Sequence, residues 1–157
     1  MSPTEHVQAA LEAAGIAAAV VEYPAGTGTA QDAADAVGCE LGQIVKTLFF
    51  LADGRPTVAL VAGDRQADTA KLAAIAGVGR KKLRMGTPDE VLGLTGYAVG
   101  GVSPVGLAAP CDIVVDESLQ RFERVWAAAG TSNAVFGAPV RDLVAKVGGQ
   151  WAPITKE

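Results

Sequence analysis

Lys46 stands inside an apolar run, Ile44-Val45-Lys46-Thr47-Leu48-Phe49-Phe50-Leu51. If this run is a strand, alternation puts Lys46 on one face with Ile44, Leu48 and Phe50. The other face, Val45, Thr47, Phe49 and Leu51, is also mostly apolar, as in a strand covered on both sides. An ammonium there must reach water or an anion. One reading is a side chain that snorkels along apolar surface to solvent. The other is a cation projecting into a pocket, where partial desolvation strengthens its hold on a phosphate, a carboxylate or a developing oxyanion.

A second unusual stretch is Gly100-Gly101-Val102-Ser103-Pro104-Val105-Gly106, between the apolar Tyr97-Ala98-Val99 and Leu107-Ala108-Ala109. Paired glycines followed by Ser and Pro continue neither a helix nor a central strand, so this is a shaped loop. It reads either as an ordinary Gly/Pro turn or as main chain that approaches a ligand and offers it N–H groups. Neither G-x-G-x-x-G nor G-x-x-x-x-G-K-[ST] occurs in the chain. Ser103 could donate to a substrate or shape the turn before Pro104.

Other chemistry-bearing residues are sparse. His6 is the only histidine, Cys39 and Cys111 are far apart, and the carboxylates are scattered, so neither a triad nor a zinc-ligand spacing can be assembled. Cys111 opens an apolar run and reads as a small core residue. Asp112 and Asp116 bracket that run, and Asp116 is of interest for its nearness to the glycine loop. Arg80-Lys81-Lys82, with Arg84 beyond, is either a solvated turn or a track for a phosphate backbone.

The elements that must position these residues follow from periodicity and punctuation. Val7, Ala10, Leu11 and Ala14 predict a helix ended by Gly15, and 16–23 reads as a strand. Thr29 with Asp32 opens a short helix closed by Gly38. The runs 44–51 and 56–62, joined through Asp53-Gly54, predict an antiparallel hairpin. Asp68 or Thr69 caps a helix ended by Gly77, and Thr87-Pro88-Asp89-Glu90 starts another that Gly93 or Gly96 stops. Strands are expected over 112–116, 121–128 and 133–136, and a last amphipathic helix carries Val140, Leu143, Val144 and Val147 up to Gly148. The fold class is α+β, a mixed, mainly antiparallel sheet or partial barrel flanked by helices, in one domain over 1–157.

With 157 residues, half of them hydrophobic and few aromatic, the chain can bury a core of Val, Leu, Ile and Ala without staples. A net charge of -4 argues against coating nucleic acid by charge alone. Two distant cysteines fit reduced thiols. Without a basic-then-apolar start or a membrane-length apolar run, a cytoplasmic protein is expected.

Four segments taken together resemble a known family. They are Ile44-Val45-Lys46-Thr47-Leu48; Ala62-Gly63-Asp64-Arg65 leading to Asp68 and Lys71-Leu72-Ala73; Thr95-Gly96-Tyr97-Ala98-Val99-Gly100-Gly101-Val102-Ser103-Pro104; and Val114-Val115-Asp116-Glu117-Ser118-Leu119. In order and spacing, over about 21–147, they are similar to the YbaK and prolyl-tRNA synthetase editing-domain family. The resemblance implies a trans-acting aminoacyl-tRNA deacylase that hydrolyses the ester of mischarged tRNA, typically tRNA-Pro carrying Cys or Ala. It also implies a site with no metal and no cofactor. Lys46 matches the family's functional lysine, and Gly100 to Pro104 match its G-x-x-x-P pocket loop. Lys46, Gly100 and Gly101 are expected to carry the reaction, and Tyr23, Thr47, Val102, Ser103, Pro104, Asp116 and Gly130 to bind substrate. Lys71, Arg80, Lys81 and Lys82 are expected to contact RNA.

Two positions depart from the family pattern: Tyr23-Pro24, where relatives vary and sometimes carry a histidine, and Thr131-Ser132-Asn133, where many relatives have a basic residue after the glycine. The expected partner is the 3′ aminoacyl end of tRNA, with prolyl-tRNA synthetase or an elongation factor as a delivery partner, and neither DNA nor a membrane. The alternatives from other classes are a binding module holding an aminoacyl, nucleotide or protein group in the same cleft without turnover, and an enzyme for an unrelated ester.

Overall fold

The computed structural model describes residues 1–24 and 26–157. Its frame is the hairpin of β2 (Ile44–Ala52) and β3 (Arg55–Ala62), paired antiparallel from Val45↔Ala62 to Ala52↔Arg55. Asp53 and Gly54 close it with φ of +50° and +81°, the two positive values that a type I′ turn needs. Around the hairpin stand β1 (Val20–Glu22), β4 (Leu83–Met85), β5 (Asp112–Asp116), β6 (Arg124–Ala128), β7 (Ala134–Pro139) and β8 (Gln150–Ala152). They form one mixed sheet in the order β1-β7-β6-β2-β3-β5-β8, with β4 on β2. Its β1–β7, β6–β7, β2–β3 and β2–β4 pairs are antiparallel, while β2–β6, β3–β5 and β5–β8 are parallel.

Five helices cover it: α1 (Pro3–Ala14), α2 (Ala30–Val37), α3 (Thr69–Ala76), α4 (Pro88–Thr95) and α5 (Val140–Val147). Each ends on a glycine in the left-handed conformation. Side-chain caps start four of them, from Ser2, Thr29, Asp68 and Thr87. Thr29 accepts from the Asp32 N–H, but the return bond of a capping box is not made, whereas Thr87 and Glu90 make both. The helix from Thr87 runs through Gly93 and stops at Gly96.

The hairpin is covered on both faces. Val45, Phe49 and Leu51 pack with Val58, Leu60, Val7, Leu11 and Leu143 in the main core. On the opposite face Phe50, Ala59 and Val61 meet Leu72 of α3, and Ile44 meets Ala33 and Ala34 of α2. Lys46 therefore lies between two apolar clusters, as alternation predicts.

Three strand expectations change. The first strand is only β1, because the chain turns at Ile16 and Gln8 bonds to both Ala18 and Val20. The segment Glu117–Arg121 is a 3-10 turn, so the expected 121–128 strand begins at Arg124. Short β4 and β8 were not expected at all.

Asp116 is buried to 1% exposure and starts that 3-10 turn. Its carboxylate accepts from the Ala62 N–H (3.0 Å), the Ser118 N–H (2.9 Å) and the Ser118 hydroxyl (2.7 Å). It thus ties the end of β3 to the end of β5. Removing it strands a buried N–H, so Asp116→Ala should cost about 2–4 kcal/mol, read as a lower urea midpoint. An unchanged midpoint would show that the tie is dispensable.

Candidate active site

The partners of β2 change along its length. One edge pairs with β3 throughout, whereas the other pairs with β6 at Ile44 and Val45 and with β4 at Phe50 to Ala52. Between them, at 46–48, that second edge has no strand partner. The Ile44 carbonyl bonds to Gly63 on the β3 side and the Phe49 carbonyl to Gly86 on the other. Alternation therefore turns the main-chain N–H and C=O of Thr47 to the open edge. The Thr47 hydroxyl is buried with no hydrogen-bond partner.

A cleft of about 300 Å³ opens at this gap. Its walls are the start of α2 (Thr29, Ala30, Ala33), β2 from Ile44 to Phe49, Met85 and Gly86, Val91 of α4, Val99, Gly100 and Val102, and Trp126 to Ala128 of β6. The lining is mostly apolar, and among the described residues it includes no carboxylate, histidine or cysteine. Lys46 is half-buried in it and donates from Nζ to the Arg65 carbonyl. The turn that presents this carbonyl is pinned by a two-pronged pair between Arg121 and Asp64 (2.8 and 3.0 Å). Hydrogen bonding from Arg121 holds the Asp64 carboxyl below its ordinary range.

Across the cleft the glycine loop presents main chain. The Gly101 N–H donates to the Ala98 carbonyl at 3.0 Å and Gly100 has φ of +92°, which makes 98–101 a type II turn with glycine where positive φ is required. The Gly100 N–H has no partner among the described residues, so Gly100, which lines the cleft, and not Gly101, is the glycine of this pair with a free donor. Gly101 instead packs on Gly130, whose N–H donates to its carbonyl at 3.0 Å. The β2 face of the site thus combines an open main-chain edge with the Lys46 cation, and the loop face adds main chain alone. Such a site can polarise a carbonyl and hold the charge that develops on its oxygen.

Of the residues expected at the site, Lys46, Thr47, Gly100 and Val102 line the cleft. Gly101 and Gly130 lie behind it as a packed pair. Ser103 and Pro104 are buried beside the loop, the Ser103 hydroxyl without a partner. Tyr23 packs with the α2 cluster. Asp116 is outside the lining, its carboxylate held in the bonds described above. Lys71 is tied to the Thr155 carbonyl (3.0 Å) and to Glu157 (3.8 Å). Arg80, Lys81 and Lys82 are exposed beside the hairpin tip, about 20 Å along β2 from Lys46 at 3.3 Å per residue. Burial raises the Cys39 and Cys111 thiols, which keeps them protonated. Sequence reasoning missed Met85, Val99 and Trp126 as lining residues; their apolar size was visible, but their approach to β2 depends on long-range pairing. Among the described residues no cluster of three metal-ligating side chains occurs, and no helix is long and apolar enough to cross a membrane.

The rim formed by Met85 and Gly86 is held by Arg84, which grips Glu90 of α4 with two bonds of 2.8 Å. Arg84, with help from the Thr87 N–H, lowers the Glu90 pKa from 4.5 to about 2. A lowered carboxyl stabilises the fold above its unfolded value and loses that contribution as pH falls through its folded value. The stability difference between wild type and Glu90→Gln should therefore be largest above pH 4.5 and shrink towards pH 2. A pH-independent difference in urea titrations would refute the clasp. The loop glycines should separate: a Cβ on Gly100 meets only the Ser132 Cβ at 4.0 Å, whereas one on Gly101 comes within 2.5 Å of the Gly130 carbonyl oxygen. Gly100→Ala should cost about 1–2 kcal/mol from its φ alone. Gly101→Ala should lower the melting midpoint further, and the reverse order would contradict the packing.

A family model described as an aminoacyl-tRNA editing domain matches residues 25–146. A solved structure of a protein provisionally described as a trans-editing enzyme for prolyl tRNA synthetase superposes with a TM-score of 0.94, at 42% identity over 100% of this chain and 99% of that one. Proline–tRNA ligase of Nitratidesulfovibrio vulgaris (strain DP4) is 38% identical over 105 residues, 66% of this chain but 18% of the ligase. A protein of Enterococcus faecalis provisionally named Cys-tRNA(Pro)/Cys-tRNA(Cys) deacylase is 30% identical over 128 residues, 81% of this chain and 77% of its own length.

Proposed function

We propose a substrate and a mechanism for this chain, which belongs to the aminoacyl-tRNA editing domain family and is an aminoacyl-tRNA hydrolase. It acts in trans on the ester of mischarged tRNA-Pro carrying Cys or Ala. The observation that carries this reading is Lys46 at the unpaired edge of β2, across an apolar cleft from the free Gly100 N–H. The ester carbonyl lies between them. Attack by a water, whose proton passes by way of the neighbouring ribose hydroxyl to the departing 3′ oxygen, puts negative charge on the carbonyl oxygen, which the Lys46 ammonium and the Gly100 N–H stabilise. The tetrahedral intermediate then collapses by breaking the bond to the 3′ oxygen of the ribose. An ester already has a modest barrier, so positioning and charge stabilisation suffice without a side-chain base. The Thr47 hydroxyl and main chain meet the substrate's polar atoms, with Val102 and Ser103 shaping the wall behind them.

With an apolar lining, one methylene is discriminated by only about 1–3 kcal/mol, so more than one small amino acid is accepted. The exposed Arg80, Lys81 and Lys82 follow the RNA backbone, and Lys71 adds a further contact. A net charge of -4 makes that affinity weak and salt-sensitive. Delivery by prolyl-tRNA synthetase or an elongation factor would compensate. A second reading, retention of an aminoacyl end without turnover, draws on the lack of a carboxylate, histidine or cysteine in the described lining.

The test is deacylation of tRNA-Pro charged with Cys, Ala or Pro, and of tRNA-Ala charged with Ala, by wild type and Lys46→Ala. We expect hydrolysis of Cys- or Ala-tRNA-Pro, with the rate reduced at least about 100-fold in the variant while its circular dichroism is unchanged. Full activity in Lys46→Ala would remove the mechanism. Tight binding of charged tRNA without hydrolysis would favour the second reading.

A further inference from the structure

Helix α1 lies outside the region matched by the family model, yet its first two turns touch both glycine segments behind the cleft. His6 donates from Nε2 to the Gly106 carbonyl at 2.8 Å, and its ring lies 5.9 Å from that of Tyr97. The Tyr97 hydroxyl, its pKa pushed up to about 12 by burial, donates to the Val105 carbonyl at 2.5 Å. Among the described residues these are the two side chains that donate to the main chain of 98–106. At the other end of the loop, Pro3 backs Gly130 so closely that a Cβ there would lie 2.8 Å from the Pro3 carbonyl. Gly130 in turn holds Gly101. The helix that makes both contacts is itself well fixed. A reciprocal Ser2–Glu5 capping box and Pro3 set its first turn, and Val7 and Leu11 are fully buried.

We infer that α1 is a positioning element for the glycine loop, and that His6 is its positioning residue, acting through Gly106 on the placement of the Gly100 N–H. The inference rests on the deacylase reading for its effect on rate, though not for its effect on the loop. Val102 and Val105 anchor the middle of the loop in the core, but beside Gly100 its own side chains add no hydrogen bond: Val99 is 65% exposed and the Ser103 hydroxyl is unpartnered. A donor misplaced by a fraction of an ångström loses much of its value to a transition state while substrate binding is little changed. His6 is exposed, so replacing it leaves no cavity and changes the melting midpoint little.

The experiment compares wild type, His6→Ala and His6→Gln, the last retaining a side-chain N–H. In His6→Ala kcat for the hydrolysed aminoacyl-tRNA should fall about tenfold or more with KM within about twofold, and His6→Gln should recover most of the loss. Independently of any substrate, the Gly100 and Gly101 amide resonances should shift or broaden in His6→Ala and return towards wild type in His6→Gln. Unmoved amides in His6→Ala overturn the inference, as does a wild-type kcat. A rate loss that merely tracks the unfolded fraction assigns His6 to stability instead. If wild type deacylates nothing, the deacylase reading fails while the amide resonances still decide whether α1 sets the loop.

Discussion

Among the described residues the lining of the cleft puts no acid beside the Lys46 ammonium, and a charge half withdrawn from water must be solvated by something else. The fold supplies main-chain oxygen, the Arg65 carbonyl, on a turn held by the Arg121–Asp64 pair. A carbonyl stabilises a cation without neutralising it, so the positive field remains available to a ligand. A carboxylate in the same place would have cancelled that field. The interruption of β2 pairing has a similar effect, since it leaves the peptide groups of Thr47 unspent where a fully paired strand would have consumed them.

That interruption also explains how a strand with two apolar faces can carry a lysine at all. Ile44 is sealed by α2 and Phe50 by α3, and the two helices leave the interval at Lys46 uncovered. Both clusters remain buried while the cation between them reaches the cleft. The site is a seam between helices, placed where the sheet changes partners.

Local chemistry was readable in the sequence; long-range pairing was not. Asp53-Gly54 announced the hairpin because both positive φ values are local demands, and the helix ends followed from Thr29, Asp68, Thr87 and the glycines that stop them. Alternation put Lys46 on the correct face. The strands β4 and β8 escaped notice because three residues carry too little pattern, and they are strands only by virtue of the partners they meet. The gap at 46–48 was hidden for the same reason, since it is defined by where β6 and β4 stop. Asp116 looked like a site residue from its nearness in sequence to the glycine loop, but its carboxylate is held by the end of β3. In the loop itself, glycine content announced an unusual main chain. Which glycine offers its N–H and which one packs depended on Gly130, nearly thirty residues away.

The parallel contact between β2 and β6 joins Ile44 to Trp126 and Val45 to Ala127, and it forms the floor of the cleft. Its two strands are separated in sequence by nearly half of the chain, and β6 is itself held by β7. A nascent chain therefore has no cleft until its seventh strand has emerged and paired, however early the hairpin folds. Such distant pairings raise the contact order and slow the search for the native topology. A fragment that stops short of β7 consequently lacks the cleft, and the cleft arises before β8 completes the sheet on β5.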